Sequence, residues 1–284
     1  MEKVSCPHCF KGSLSSFAPQ IPFSTWHFVP VCICINLKNR TDRFKHCQYE
    51  FHRIGLCQKI HYIFVEKPSI NSDQAGTIGC WTSHQKASKI ISENYQFGLV
   101  LEDDVLFDSN NDNVIQGAKK IQDTLKKWID HKTKWDVLFL GCWQFWIRPN
   151  FSIGDKKFSI KKCHARCFHS YMISNRFASK LADTDFEDQF LGSPNWIKNH
   201  FPGFGVDTWS AYTNKNSYCL FPMIAYQSPS PSSNDRKINK LFINWALSDP
   251  DNMKMNQYVV LIVSVFFHIF LCFFSSSYRK QMTM

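Results

Sequence analysis

A chain of 284 residues, 44% of them hydrophobic and 20% charged, has enough apolar material for one large α/β domain and is not a disordered chain. Its 11 glycines and 12 prolines exclude the collagen-like and low-complexity classes. The net charge of +10 suits an anionic ligand, but the lysines and arginines form no run of five or more, so we expect no nucleic-acid partner. Several of the 12 cysteines, Cys32 and Cys34 among them, lie in apolar segments, which favours a reducing compartment.

Residues 1–30 are typical of an N-terminal extension, because they lack the continuous apolar core of a signal peptide. Cys6 and Cys9 form a single CxxC pair within it. A zinc site needs further ligands at suitable spacing, and the next cysteines belong to a predicted strand. We therefore expect no zinc knuckle in this extension.

The next segment, residues 31–245, contains alternating strand and helix patterns. Five apolar runs predict buried strands, and apolar residues at helical spacing between residues 115 and 128 predict an amphipathic helix. Ser174 is a plausible N-cap for a short helix after the fifth strand. These patterns predict a mainly parallel central sheet with flanking helices on both faces, whose strands lie at 31–37, 61–65, 97–101, 135–140 and 168–173.

Basic and polar residues follow the first of these strands. Asn36 ends the strand, and Lys38, Arg40 and Arg43 come directly after it. Basic side chains at the carboxyl end of a strand can bind phosphate. Asn36, Arg40 and Arg43 are therefore candidates for contacts with a nucleotide.

A glycine-containing segment precedes the third strand. Gly76 and Gly79 predict a tight turn from a strand into a helix, whose first amides could face an anion. In that helix Cys80, His84 and Ile91 share one face, so His84 points where the core residues point. His84 is either a core histidine with a satisfied hydrogen bond or a contact with nucleotide or metal.

Three consecutive carboxylates end the third strand. Glu102, Asp103 and Asp104 lie between two apolar segments, where unpaired charges are costly and repel one another. A divalent cation with hard oxygen ligands would neutralise them, at the edge of the sheet where α/β proteins bind ligands. The alternative is an acidic turn in solvent.

The C-terminal part of the chain contains the longest apolar run. Residues 258–274 carry no formal charge, and Arg279 and Lys280 follow. This length is near the lower limit for a membrane-spanning helix. We expect a C-terminal hydrophobic helix at 257–277 that anchors the protein to a membrane in a single pass. Because the N-terminus shows no signal peptide, we expect the folded domain on the cytosolic side, although the flanking Lys and Arg do not set the orientation. The alternative is a buried core helix.

Seven motifs in order make the chain resemble glycosyltransferase family 25, which includes lipooligosaccharide and procollagen galactosyltransferases. The resemblance covers about residues 31–235 and rests on INLKNRTDR, GTIGCWTSH, LVLEDDVLF, WDVLFLG, FHSYMISNRFASKL, GVDTW and LFPMIAYQSPSPSSND. It implies a GT-A fold, a UDP-sugar donor and a bound Mn²⁺ or Mg²⁺. The implied reaction transfers a hexose, galactose or glucose, to a hydroxyl of a glycan or protein acceptor, as in lipopolysaccharide biosynthesis.

The site roles follow from this chemistry. We assign Asp104 and Glu102 to the metal, and Glu102 and Asp103 also to the diphosphate, because the leaving group must be neutralised. Asp207 is the candidate base for the acceptor hydroxyl or a contact with the acceptor, and it is otherwise a loop-capping residue. The alternative assignment exchanges the roles of Asp207 and the acidic motif. His84 is a candidate contact with the donor.

Two other functional classes compete with the enzyme. A membrane-anchored, non-catalytic module of the same fold would bind sugar or nucleotide without turnover. The three retained acids count against it, because a binding site without catalysis does not need carboxylates that repel one another. Nucleic-acid binding lacks both a recognition motif and a basic cluster.

Overall fold

The computed structural model describes residues 19–69, 75–147, 158–185 and 205–228. Most of the expected N-terminal extension and the predicted anchor at 257–277 lie outside these ranges. Among the residues described, none of the helices combines the length and the apolar character needed to cross a bilayer.

Six strands form the central sheet of the described residues. Their spatial order is β2 (Ile60–Val65), β1 (Cys32–Leu37), β3 (Phe97–Glu102), β6 (Ser159–Ser174), β5 (Val137–Ile147) and β7 (Ser217–Phe221). β1 pairs in parallel with β2 and β3, and β5 pairs in parallel with β7. β6 runs antiparallel to β3, β5 and β7. The sheet is therefore mixed but mostly parallel, and the expected α/β class is confirmed.

Helices cover both faces of this sheet. They are α1 (Thr41–Arg53), α2 (Ala75–Asn94), α3 (Asn111–Asp130), α4 (Asn175–Ala182) and α5 (Val206–Thr213), with single 3₁₀ turns at Phe23–Trp26 and Cys57–Lys59. Alternate residues of β1 belong to different cores: Cys32 and Cys34 pack with α1 and α3, whereas Ile33 and Ile35 pack with α2. This alternation is the strand period of two, and it explains why β1 is apolar throughout.

The folded structure begins before residue 31. Ile21 and Trp26 are fully buried, and the Trp26 indole Nε1 donates to the Ile54 carbonyl at 2.8 Å. Residues 19–30 thus close one end of the core between α1 and α3. The sequence gives little sign of this contribution, because the segment shows no strand or helix period.

β6 runs antiparallel to its neighbours within the mainly parallel sheet, and only residues 148–158 separate it from β5, fewer than a parallel crossover connection usually needs. One sequence expectation about local structure is wrong. Gly76 and Gly79 lie inside α2 rather than in a turn before it. A Cβ at position 79 would lie 2.8 Å from Cδ of Pro68, so glycine lets the segment after β2 pack against the helix.

A second, two-stranded sheet lies beside the end of β3. After β3 the chain turns at Asp103 and Asp104 and continues as β4 (Val105–Phe107), which pairs antiparallel with β8 (Ala225–Gln227). β8 also lies close to β5, since a Cβ on Gly141 would be 1.8 Å from the Ala225 carbonyl oxygen. Glycine at 141 therefore permits the approach that brings β8 beside the acidic turn.

Candidate functional site

The acidic motif lies where β3 ends, and its three side chains take different directions. Asp103 contacts β1 and α1, Asp104 contacts β8, and Glu102 contacts α2. A pocket opens at this edge of the sheet, and all three carboxylates are part of its wall together with Arg43 and His84. The structure therefore brings together five of the residues predicted from the sequence.

Both carboxylate oxygens of Asp103 accept hydrogen bonds from the surrounding fold. Its Oδ2 accepts hydrogen bonds from Asn36 Nδ2 at 2.9 Å and from the Leu37 backbone N–H at 3.0 Å. Its Oδ1 accepts from Arg43 Nη1 at 2.7 Å. Asp103 is thus the residue that joins β1 and α1 to the end of β3, and Asn36 serves this junction rather than lining the pocket.

Arg43 connects two of the three acids. The same Nη1 atom lies 2.7 Å from Asp103 Oδ1 and 3.3 Å from Asp104 Oδ2. The three side chains are less than 10% exposed, so this contact is shielded from water. A buried guanidinium between two carboxylates offsets the repulsion that the sequence motif creates.

Asp104 has one free oxygen. Its Oδ2 accepts from Gln227 Nε2 at 3.0 Å, and its backbone carbonyl accepts from the Ser228 N–H. Its Oδ1 is buried and has no hydrogen-bond partner among the described residues. Burial, followed by the charge of Glu102, raises the pKa of Asp104 to about 7, despite the opposing effect of Arg43. Asp104 is therefore a carboxylate whose charged form lacks full compensation from the chain itself.

Glu102 is held by α2. Its Oε1 lies 3.1 Å from His84 Nε2, and the other ring nitrogen of His84 lies 2.8 Å from the Tyr171 hydroxyl on β6. Burial on its own would raise the pKa of Glu102, but the hydrogen bond and charge of His84 outweigh it and lower that pKa. The Glu102 side chain is 26% exposed, and it lines the pocket. His84 is thus fully buried, as a core histidine would be, and also part of the site.

The remaining basic residues of the first motif pair with acids at the surface. Lys38 Nζ contacts Glu66 at 2.9 Å, and Arg40 Nη2 contacts Asp42 at 2.7 Å. Arg40 does not contribute to the pocket wall formed by the described residues, although the charges of Asp103 and Asp104 reach it and help raise its pKa after the hydrogen bond with Asp42. The role of Arg40 in phosphate binding stays a prediction.

Asp207 lies in the first turn of α5. Its Oδ1 accepts from the Thr208 N–H at 2.7 Å, and its Oδ2 accepts from the Cys167 N–H at 3.3 Å. The N-cap of α5 is Gly205, and Asp207 instead accepts from one N–H group of the first turn and from one on β6, contacts that fit the structural alternative that the sequence left open. Asp207 is nevertheless close enough to the pocket for its charge to help raise the pKa of Cys80, after burial and Glu102. Its role as a base stays a prediction.

Sequence reasoning missed two contributors to the site, Gln227 and Tyr171. Gln227 pairs with Asp104 across 123 residues, and Tyr171 orients His84 across 87 residues. Both lie within motifs that carry the family resemblance, and this position marks them as candidates for the site. Their partners depend on strand pairing, which the motifs do not reveal.

Residues 72–186 match the family model of glycosyltransferase family 25, described as LPS biosynthesis protein. This segment includes α2, the acidic motif and β6, and the family resemblance is thereby confirmed. No curated protein matches the chain. Among solved structures, mannose-1-phosphate geranyltransferase from Thermus thermophilus is similar over 68% of this chain and 74% of that chain, with 8% identity and a TM-score of 0.30. A similarity this distant does not bear on function.

The buried ion pairs of Arg43 predict a large loss of stability when this residue is changed. Arg43→Ala leaves two buried carboxylates without their cation, which typically costs about 3–5 kcal/mol in the free energy of unfolding. Arg40→Ala is the matched control, because its partner Asp42 is 63% exposed and such a pair contributes about 1 kcal/mol or less. Urea unfolding measures both variants. Equal losses would contradict the structural role of Arg43.

Asp104 predicts a pH dependence of stability in protein freed of metal with EDTA. Its pKa is about 7 in the folded chain and 3.8 ordinarily, so the folded state binds the proton more tightly. Stability is therefore greatest below the ordinary pKa and falls as pH rises toward 7, by up to about 1.4 kcal/mol per pH unit. The Asp104→Asn variant has no carboxylate at this position, so its stability lacks this contribution to the pH dependence. Urea unfolding at about pH 5 and about pH 8 should show a smaller decrease for the variant, and parallel decreases would refute the shift.

Proposed function

We propose that this chain, a glycosyltransferase over its family 25 segment at 72–186, transfers a hexose from a UDP-sugar with the help of a divalent cation on a GT-A-type fold. The observation that carries the proposal is the pair Glu102 and Asp104 on the pocket wall at the carboxyl end of β3. Ligands of open α/β sheets bind at this edge. The mostly parallel sheet and the family segment support a nucleotide-sugar enzyme.

The residues present fit a hard divalent cation such as Mn²⁺ or Mg²⁺. Asp104 Oδ1 is a buried carboxylate oxygen without a partner among the described residues, and the partly exposed Glu102 carboxylate lines the same pocket. Such cations prefer carboxylate oxygens. Three acids and one guanidinium leave the site with excess negative charge, which a cation offsets. Glu102 and Asp104 are therefore the proposed ligands.

Departure of the nucleoside diphosphate creates negative charge next to this pocket. A bound cation supplies Lewis-acid stabilisation of that charge. Arg43 holds Asp103 and Asp104 in place through Nη1. His84, with its ring fixed by Tyr171, holds the Glu102 carboxylate at the pocket wall. The chain thus orients its carboxylates before the donor binds, which lowers the reorganisation needed in the reaction.

The acceptor hydroxyl needs a base, and Asp207 is the proposed one. It is half-buried at the start of α5, and its charge reaches Cys80 on the pocket wall. The hydrogen bonds from Thr208 and Cys167 hold its carboxylate in a fixed orientation. These contacts leave lone pairs on both oxygens for an acceptor proton.

The family supports galactose or glucose as the transferred sugar and a glycan or protein hydroxyl as the acceptor. For location, the apolar segment 257–277 supports membrane association through a C-terminal anchor, with the catalytic domain on the cytosolic side.

A panel of nucleotide-sugars, with release of the nucleotide as the readout, tests the proposal. We expect turnover of a UDP-hexose with Mn²⁺ or Mg²⁺ and loss of turnover in EDTA. Asp104→Asn should lower the rate by about 10²-fold or more, equivalent to ~3 kcal/mol. Asp112→Asn, which removes an exposed acid from α3, is the matched control and should keep the wild-type rate. Donor binding without turnover would instead favour the non-catalytic module.

The Asp207→Asn variant distinguishes a catalytic base from a residue with only a structural role. If Asp207 accepts the acceptor proton, the rate of transfer falls by about 10²–10⁴-fold while the affinity for UDP stays the same, because the proton moves only in the transition state. Single-turnover kinetics and calorimetric titration with UDP measure the two quantities. A wild-type rate combined with about 1 kcal/mol less stability would assign Asp207 to a structural role only.

A further inference from the structure

Three different metal-ligating side chains meet on one wall of the pocket. Cys80 Sγ lies 4.0 Å from Glu102 Oε1, and His84 Nε2 lies 3.1 Å from the same oxygen. The sulfur, nitrogen and oxygen atoms all lie within 4.8 Å of one another. Cys80 and His84 are four residues apart on α2, so a single helix face presents both of them to the end of β3.

These separations resemble the spacing of ligands around one small cation. With Zn–N of about 2.0–2.1 Å and Zn–S of about 2.3 Å, the ligand atoms of a tetrahedral site lie about 3.3–3.6 Å apart. The distance from His84 Nε2 to Glu102 Oε1, 3.1 Å, is slightly below this range, and the distance from Cys80 Sγ to the same oxygen, 4.0 Å, is slightly above it. Small side-chain movements therefore suffice to place all three atoms around a cation.

The surroundings of His84 match those of a metal-binding histidine. The ring is fully buried, and Nδ1 lies 2.8 Å from the Tyr171 hydroxyl. With a cation in place of the Nε2 proton that Glu102 accepts in the metal-free chain, Nδ1–H would donate to that hydroxyl oxygen and the lone pair of Nε2 would face the cation. Metal-bound histidines regularly have such a partner on their other nitrogen, which fixes the tautomer and the ring orientation.

The charges around Cys80 also favour a cation. Cys80 Sγ lies 4.0 Å from Glu102 Oε1, on a pocket wall that also includes Asp103 and Asp104. A thiophilic cation would offset these negative charges by forming a metal–sulfur bond as the S–H bond breaks, with release of the proton to solvent.

We propose that Cys80, His84 and Glu102 bind a thiophilic divalent cation of the zinc type, with the fourth position open to the pocket. Thiolate and imidazole prefer zinc and cobalt to Mn²⁺ and Mg²⁺, so this site differs in selectivity from the carboxylate pair Glu102 and Asp104. Because Glu102 belongs to both sets, zinc and the hard cation exclude one another. The proposal does not rest on glycosyltransferase activity.

Titration with Co²⁺ tests the site, because thiolate-bound cobalt gives a charge-transfer absorption that carboxylate-bound cobalt lacks. The full chain carries Cys6→Ser and Cys9→Ser throughout, so that the N-terminal CxxC does not contribute. We expect the band to appear in this background, to disappear on addition of Zn²⁺ and to be lost in Cys80→Ser. Tyr171→Phe should keep the band with about 10- to 100-fold weaker binding.

Asp104→Asn is the control that separates the two cation sites, and it should keep the band. Absence of the band in the background protein, or its survival in Cys80→Ser, overturns the proposal. Loss of the band in Asp104→Asn also overturns it, because the cation would then need the carboxylate pair. A cobalt band without any turnover of nucleotide-sugars supports this site and counts only against the proposed enzyme.

Discussion

The buried contact between Asp103 and Arg43 is the constraint on which the site depends. Asp103 receives hydrogen bonds from Asn36 and Leu37 at the end of β1 and from Arg43 in α1. This carboxylate therefore fixes the end of β3 relative to two other elements. Because Arg43 also contacts Asp104, the same contact sets the position of a second acid. A surface ion pair would not have this effect, since water competes with it.

The structure resolves the repulsion within the acidic motif by giving each acid a different environment. Asp103 is saturated by hydrogen bonds, and Glu102 is kept charged by His84, although its burial acts in the opposite direction. Asp104 keeps an unpartnered oxygen, and its pKa is raised to about 7 by burial and by Glu102. Negative charge is thus left over only at the pocket wall, where a cation or a protonated state compensates it. Neutralising the motif completely within the chain would leave no preference for a cation.

Sequence patterns were sufficient for five of the strands, for α2, α3 and α4, and for the acidic motif. The apolar runs marked the cores of five strands, and the helical period marked α3, because both periods follow from burial on one or two faces. The direction of β6 was not predictable in this way, since a buried strand has the same pattern in either direction. The close approach of Pro68 to Gly79 on α2 is a contact between segments that periodicity does not encode.

The partners within the site were also beyond the sequence. The motif Glu102–Asp104 indicated a cation site, but Gln227 reaches Asp104 only because β4 pairs with β8. The basic residues after β1 form one group in the sequence, and the structure divides them: Arg43 is buried in the site, whereas Arg40 pairs with Asp42 near the surface. Charge and spacing alone do not distinguish a buried arginine from a partly exposed one three residues away.

The central claim is that Glu102 and Asp104 couple a divalent cation to a nucleoside diphosphate. Calorimetric titration of UDP in the presence and absence of Mn²⁺, for the wild-type chain and for Glu102→Gln, tests it most directly. The account predicts that Mn²⁺ raises the affinity of the wild-type chain for UDP by about tenfold or more, equivalent to ~1.4 kcal/mol, and that Glu102→Gln removes this gain. Equal affinities for UDP with and without Mn²⁺ in the wild-type chain would contradict it.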